Sequence, residues 1–194
     1  MSVRQAAALV ALALVGGACA NGDRRAGRPD APGTFDFGSA ATAEEIAAWN
    51  IDVMPDGTGL PPGSGTASQG AAIYAHKCAT CHGRTGTEGP FDRLVGREPR
   101  VGFPFGRDPR FVKTLGNYWP YATTLYDYVN RAMPLNAPGS LTPGEVYSLV
   151  GFLLWRNDIV ADSAVMTSQT LPRVIMPARN RFVLDNRRGG PEIR

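Results

Sequence analysis

The chain has 194 residues, 43% of them hydrophobic and only 9% aromatic, which suits one small globular domain with extensions rather than several domains. Its 23 Gly and 16 Pro imply that much of it is loop. A formal charge of +3 is too mild to call for nucleic acid as a partner, but it is unevenly spread: from residue 172 onward six Arg (173, 179, 181, 187, 188, 194) face only Asp185 and Glu192.

Residues 1–20 hold a basic start with Arg4, an apolar run over residues 6–17 and small residues at the end. The run is too short to span a bilayer and reads as a signal peptide. Two cleavage patterns overlap there. Ala18-Cys19-Ala20 forms an A-x-A site, whereas Val15-Gly16-Gly17-Ala18-Cys19 resembles a lipobox, with Gly16 where Leu is usual, and would end the signal at residue 18. Cys19 has no other evident task, which favours the lipoprotein form and makes a lipid on Cys19 the expected membrane contact. Either pattern implies export to the periplasm.

Residues 21–65 form a linker and N-terminal extension. Residues 21–39 lack periodicity and read as a tether. Thr42 then opens a short helix, with Glu45 completing a capping box. Residues 51–65 return to a Pro- and Gly-rich composition.

A helix is predicted over about residues 67–79, with Ala71, Tyr74, Ala75 and Cys78 on one stripe. Gly70 sits on the neighbouring turn, where a missing side chain lets another helix approach. This helix delivers Cys78-Ala79-Thr80-Cys81-His82-Gly83. The C-x-x-C-H spacing is the signature of covalent haem c attachment: each thiol adds to a vinyl group as a thioether, and His82 then binds the iron from the proximal side. A redox dithiol or half of a zinc site would use the thiols alone. The adjoining His82 and the lack of a second Cys pair weigh against both.

Residues 84–113 read as loop. Within them Arg93, Arg97, Arg100, Arg107, Arg110 and Lys113 either pair with haem propionates, face a partner or are simply solvated. Phe103-Pro104-Phe105 and Tyr118-Trp119-Pro120-Tyr121 are candidate pocket walls, with packing as the plainer role. A second helix is predicted over residues 121–132, with Thr124 as N-cap and Leu125, Tyr128, Val129 and Ala132 facing inward. A third starts at Thr142, with Pro143 at its first position and Glu145 closing a capping box. It turns Val146, Leu149, Val150, Leu153 and Leu154 inward and ends near Trp155. No stretch reads as a clear strand, although Val174-Ile175-Met176 could be a short extended piece.

An iron held by His82 takes a second axial ligand unless that side is open. His76 lies on the thiol helix and cannot reach the opposite face. Among the five Met, Met133 follows a helix, is pinned by Pro134 and leads into a Gly/Pro loop, so it is the expected distal ligand. Met54, Met166 and Met176 are the alternatives, and gap filling is the plainer role for any Met. His/Met ligation raises the potential and closes the iron to small molecules, which favours electron transfer. The expected architecture is an all-α domain over residues 66–160 around one covalent haem c, with residues 161–194 an Arg-rich extension.

Cys78 to His82 together with Met133 resembles the class I cytochrome c domain. Four strings narrow the resemblance: Ala48-Trp49-Asn50-Ile51-Asp52-Val53, Leu60-Pro61-Pro62-Gly63-Ser64-Gly65, Gly116-Asn117-Tyr118-Trp119-Pro120-Tyr121-Ala122-Thr123-Thr124 and Arg131-Ala132-Met133-Pro134. They are similar to the SoxD-like cytochrome c subunits of bacterial sulfite and sulfane dehydrogenases, over roughly residues 47–176. SoxD proteins often carry two haem domains, whereas this chain has a single C-x-x-C-H and resembles a mono-haem form. The resemblance implies a class I cytochrome c fold and no catalytic centre in this chain. A molybdopterin subunit would oxidise sulfite or protein-bound sulfane sulfur, this haem would accept the electrons, and a downstream cytochrome c or oxidase would take them. The Arg-rich tail would then be a docking arm. Two alternatives stand beside this: a cytochrome serving another periplasmic dehydrogenase or terminal oxidase, and a haem-based ligand sensor, which needs an open distal site.

Overall fold

The structure, a computed structural model, describes residues 38–104 and 107–183. The expected signal peptide with Cys19, the side chain of Phe105 and the arginines at 187, 188 and 194 lie outside the described residues. The chain divides into Met1–Ala41, of which residues 38–41 are described and exposed, and Thr42–Arg194, which carries all the elements below.

Helix α1 (Ala43–Trp49) opens as expected. Thr42 Oγ1 accepts from the Glu45 N–H and the Glu45 carboxylate accepts from the Thr42 N–H. None of its residues is buried. The following Pro/Gly segment is fastened by Val53, which is buried and donates its N–H to Asp127 Oδ1 at 2.8 Å.

Two helices make the centre. Helix α2 (Ala67–Lys77) starts with a second capping box, Thr66 with Gln69, which the sequence reading passed over. Its inward seam is Ala67, Gly70 and Tyr74; Ala75, expected on that stripe, is exposed, and Cys78 is the C-cap. Helix α5 (Pro143–Arg156) has the expected Thr142–Glu145 box with Pro143, and buries every residue from Val146 to Leu154. A Cβ on Gly70 would lie 2.0 Å from Ser148 O, so the two helices meet backbone to backbone. Beside the crossing, the Tyr74 and Phe152 rings pack 5.1 Å apart.

Helix α4 (Ala122–Ala132) packs on α5 through Tyr126 and Tyr147, with ring centroids 4.6 Å apart. Its seam corrects the expectation. Ala122, Leu125, Tyr126 and Val129 are buried at i, i+3, i+4, i+7, whereas Tyr128 is 45% exposed. Thr124 is not the N-cap either. Its hydroxyl donates to Tyr121 O and accepts from Trp119 Nε1, each at 3.0 Å, and Tyr121 is the cap residue.

A two-stranded ribbon was not anticipated. Strand β1 (Ser64–Thr66) pairs antiparallel with β2 (Val165–Thr167), setting Gly65 opposite Met166. Three residues are too few for alternation to be read. Val174-Ile175-Met176 is not a strand; it follows a 3-10 turn, Leu171–Arg173. Met166, Leu171 and Met176 join the helices and Val53 in one core, so residues on both sides of 66–160 help enclose it. No helix among the described residues is long and apolar enough to cross a membrane.

Candidate functional site

Cys78 ends α2, and the single turn α3 (Ala79–His82) follows, so the C-x-x-C-H string forms the corner between them. Gly83 closes it at φ +80°, a conformation that suits glycine. Three contacts hold the corner from outside. Tyr74 Oη donates to Gly83 O at 2.9 Å, and the Phe91 N–H donates to Cys81 O at 3.1 Å. Gly89 lies so close that a Cβ there would stand 2.1 Å from Cys81 O.

The third chemical group is the imidazole. His82 Nδ1 lies 2.8 Å from Asp92 O. A carbonyl oxygen can only accept, so Nδ1 is the donor in this contact, and in the neutral ring Nε2 then holds the lone pair. That is the tautomer and orientation of a metal-binding histidine.

Both motif thiols are free, Cys78 half-buried against the core and Cys81 exposed. Burial pushes the Cys78 thiol up to about 11, with Lys77 opposing and Cys81 adding. A redox dithiol needs the opposite, a lowered thiol that is ionised near neutral pH. Nor do the described residues gather three or more His, Cys, Asp or Glu into a metal-holding cluster, as a zinc site would require.

Beyond the corner, Glu88 organises the loop. Its carboxylate accepts from the N–H and hydroxyl groups of both Thr85 and Thr87. Hydrogen bonds from Thr85 first, and then from Thr87, hold it down at about 2, against 4.5 for a free glutamate. A folded pKa below the unfolded one gives stability that is complete above about 4.5 and is lost as pH falls toward 2. The Thr85 and Thr87 amide NMR shifts are therefore expected to stay unchanged through the ordinary glutamate range near 4.5 and to titrate only toward about 2, with no such step in Glu88→Gln. Flat shifts in the unsubstituted protein would refute the clamp.

Much of the basic loop is committed to the fold. Arg97 Nη1 donates to Asp158 O and Arg100 Nη2 to Asp158 Oδ2, each at 3.0 Å. Arg110 grips Asp108, Arg93 Nε donates to Thr87 O, and Lys113 lies over the Tyr118 ring. Asn157, which the sequence reading missed, ties α5 to this loop while almost fully buried. Its Oδ1 accepts from the Gly96 N–H at 2.9 Å, and its Nδ2 donates to Leu94 O and Leu153 O. An Asn just past a helix reads as an ordinary cap; only the fold brings the loop to it.

Of the candidate walls, Phe103 is buried, and Tyr118, Trp119 and Tyr121 are half-buried. Trp119 packs edge-on against Tyr128, and Arg179 lies over Tyr121. His76 is exposed.

Met133 is the half-buried C-cap of α4, its N–H donating to Val129 O at 3.2 Å. Two residues earlier, Arg131 binds both oxygens of Asp127 and reaches Asp52 Oδ1 at 2.5 Å. Met166 and Met176 are core residues at 3% and 1% exposure, and Met54 is 46% exposed. The C-x-x-C-H corner and Met133 thus sit on separate helices that share α5 as a neighbour.

Two features suit a haem. Nε2 of His82 offers a lone pair. Phe91, whose N–H bonds Cys81 O, and Leu135, two residues past Met133, expose apolar surface that a large apolar group would cover.

Residues 65–153 match the family model described as cytochrome c oxidase, cbb3-type, subunit III. Among solved structures, the chain is similar to the crystal structure of the sulfane dehydrogenase SoxCD from Paracoccus pantotrophus. That likeness has a TM-score of 0.68 and 40% sequence identity, covering 78% of this chain and 73% of that one. No curated protein matches.

Proposed function

The chain belongs to the cytochrome c family, an electron-transfer family that binds haem c, and from that premise we propose that it is the electron-accepting subunit of an exported sulfur-oxidising dehydrogenase. One observation carries this reading. The likeness to the sulfane dehydrogenase spans 78% of the chain, so it runs past residues 65–153 into flanking segments that a haem domain alone does not need.

In this reading Cys78 and Cys81 would hold one haem covalently, and His82 and Met133 would ligate its iron. The haem supplies a one-electron iron couple with a delocalised edge. The chain's residues do the rest. Asp92 O fixes the His82 ring, Tyr74 and Gly89 brace the corner that carries the thiols, and Met133 would supply the other ligand and so keep small molecules from the iron. Oxidising sulfite to sulfate takes oxygen from water and releases two protons and two electrons. That chemistry would fall to a partner subunit with a molybdenum cofactor, and this chain would take up the electrons one at a time and yield them to a downstream cytochrome c or oxidase. The leader of residues 1–20 supports export, and Cys19 is its proposed lipid anchor.

The test uses complex purified gently from native membranes. Sulfite is expected to raise the reduced haem α-band rapidly. If sulfite and sulfane-loaded carrier protein leave the band flat while dithionite reduces it fully, the sulfur reading is overturned. A second reading, service to a terminal oxidase or another dehydrogenase, draws on the match of residues 65–153 to an oxidase subunit family. It predicts that flat response together with oxidation of the reduced haem by an oxidase.

A further inference from the structure

Helix α1 is seven residues long and buries none of them. Helices this short are marginal in water, and stable ones lean on an apolar face packed against something. This one shows its apolar face to solvent. Ile46 is 56% exposed, Trp49 one turn later 87%, and the strip continues through Ile51 at 41% and Met54 at 46%. An exposed tryptophan flanked by aliphatic side chains is the composition of an interface anchor rather than of ordinary surface.

The strip is nonetheless fastened at its far end. Val53 is buried and donates to Asp127 Oδ1, Thr123 Oγ1 donates to Pro55 O at 3.0 Å, and Asp52 is paired with Arg131. Asp127 and Arg131 belong to α4, which ends at Met133 two residues beyond. Whatever sits on the strip is therefore anchored at the end of the helix that carries the proposed distal ligand.

Charge states what that occupant is. From residue 29 to residue 75 the chain has six carboxylates and no Lys, Arg or His. Four of them, Glu44, Glu45, Asp52 and Asp56, border the strip, and Arg131, which pairs with Asp52, is shared with Asp127. A second copy of the chain would bring the same acidic strip to a symmetric contact and be repelled. An anionic membrane would be repelled as well.

We propose that the Ile46–Trp49–Ile51–Met54 strip is the docking surface for the sulfur-oxidising subunit, which meets it with an apolar groove rimmed by Lys and Arg. This inference rests on the function proposed above. It names the face through which the electron donor is brought to the α4 end.

The test measures binding of the holocytochrome to the molybdenum-containing sulfite- or sulfane-oxidising subunit, together with sulfite-driven haem reduction. Trp49→Ala is expected to weaken binding on the order of tenfold or more, as for a buried anchor. Glu44→Lys is expected to slow association and to flatten its dependence on salt. Neither residue touches the haem ligands, so the α-band, the potential and reduction by dithionite are expected to match the unsubstituted protein. Unchanged binding in both variants, with the unsubstituted protein reduced normally, overturns the docking surface and leaves the function standing. No binding or reduction of the unsubstituted protein overturns the function and the surface with it. Loss of self-association in Trp49→Ala, with subunit binding intact, would give the strip to a second copy and also overturn the proposal.

Discussion

Met133→Ala is expected to yield a reduced protein that binds carbon monoxide, where the unsubstituted protein does not, and to lower the reduction potential. The size should be on the order of 0.1 V, within the roughly 0.8 V that axial ligation spans. The direction follows from ligand chemistry. A thioether is a weak donor that favours the ferrous state, and water or an open position in its place does not. Carbon monoxide needs an open position, so it reports the vacancy independently of the potential.

The setting of the other methionines makes the result decisive. Met166 lies on β2 opposite Gly65, and Met176 is 1% exposed in the core, so neither can turn outward without emptying a packed site. Among the described methionines, Met54 is the competitor with freedom to move, being 46% exposed in a loop. Met133→Ala with an unchanged spectrum and potential would transfer the assignment to Met54, and Met54→Ala would then show the carbon monoxide binding. If both variants stay closed and neither potential moves, thioether ligation by this chain is refuted.

How much could be read in advance depended on how local each signal was. The C-x-x-C-H string and the capping boxes at Thr42 and Thr142 are complete within a few residues, and the hydrogen bonds of the two boxes form as expected. The α4 seam was less legible. Tyr126 and Tyr128 are equally amphipathic, and only the ring of Tyr147 decides that Tyr126 goes inside. The β1–β2 ribbon and the task of Asn157 could not be read locally, because their partners lie about a hundred and about sixty residues away in sequence. The same holds for the link from Asp52 to Arg131, a contact across 79 positions that turns an apparently idle extension into a brace for α4. Gly70 was the exception. Its position on a helix turn announced a close approach before any partner was known.

That approach supports the second large effect. Gly70→Ala is expected to destabilise the protein, although alanine is the better helix former by about 1 kcal/mol. The added Cβ would lie 2.0 Å from Ser148 O, 2.5 Å from Ser148 C and 2.7 Å from Phe152 Cβ. Two of these atoms are backbone in the middle of a buried helix, so no rotamer change relieves the contact. Gly65 presses on Ser148 from another side, its own Cβ position lying 2.2 Å from Ser148 N, which leaves α5 little room to slide. Overpacking of this kind costs about 1–3 kcal/mol or more beyond the propensity gain. For a chain of this length each kcal/mol lowers the melting temperature by roughly 2–4 °C. Gly144→Ala is the matched control. It makes the same chemical change in α5, but the nearest atom to its Cβ position is Ser64 O at 3.4 Å, ordinary contact. There alanine should stabilise by about 0.5–1 kcal/mol through the unfolded chain. Thermal melts of the two holoproteins should therefore move in opposite directions. If both variants rise, α2 and α5 do not cross at Gly70, and the corner that presents Cys78, Cys81 and His82 is held in some other way.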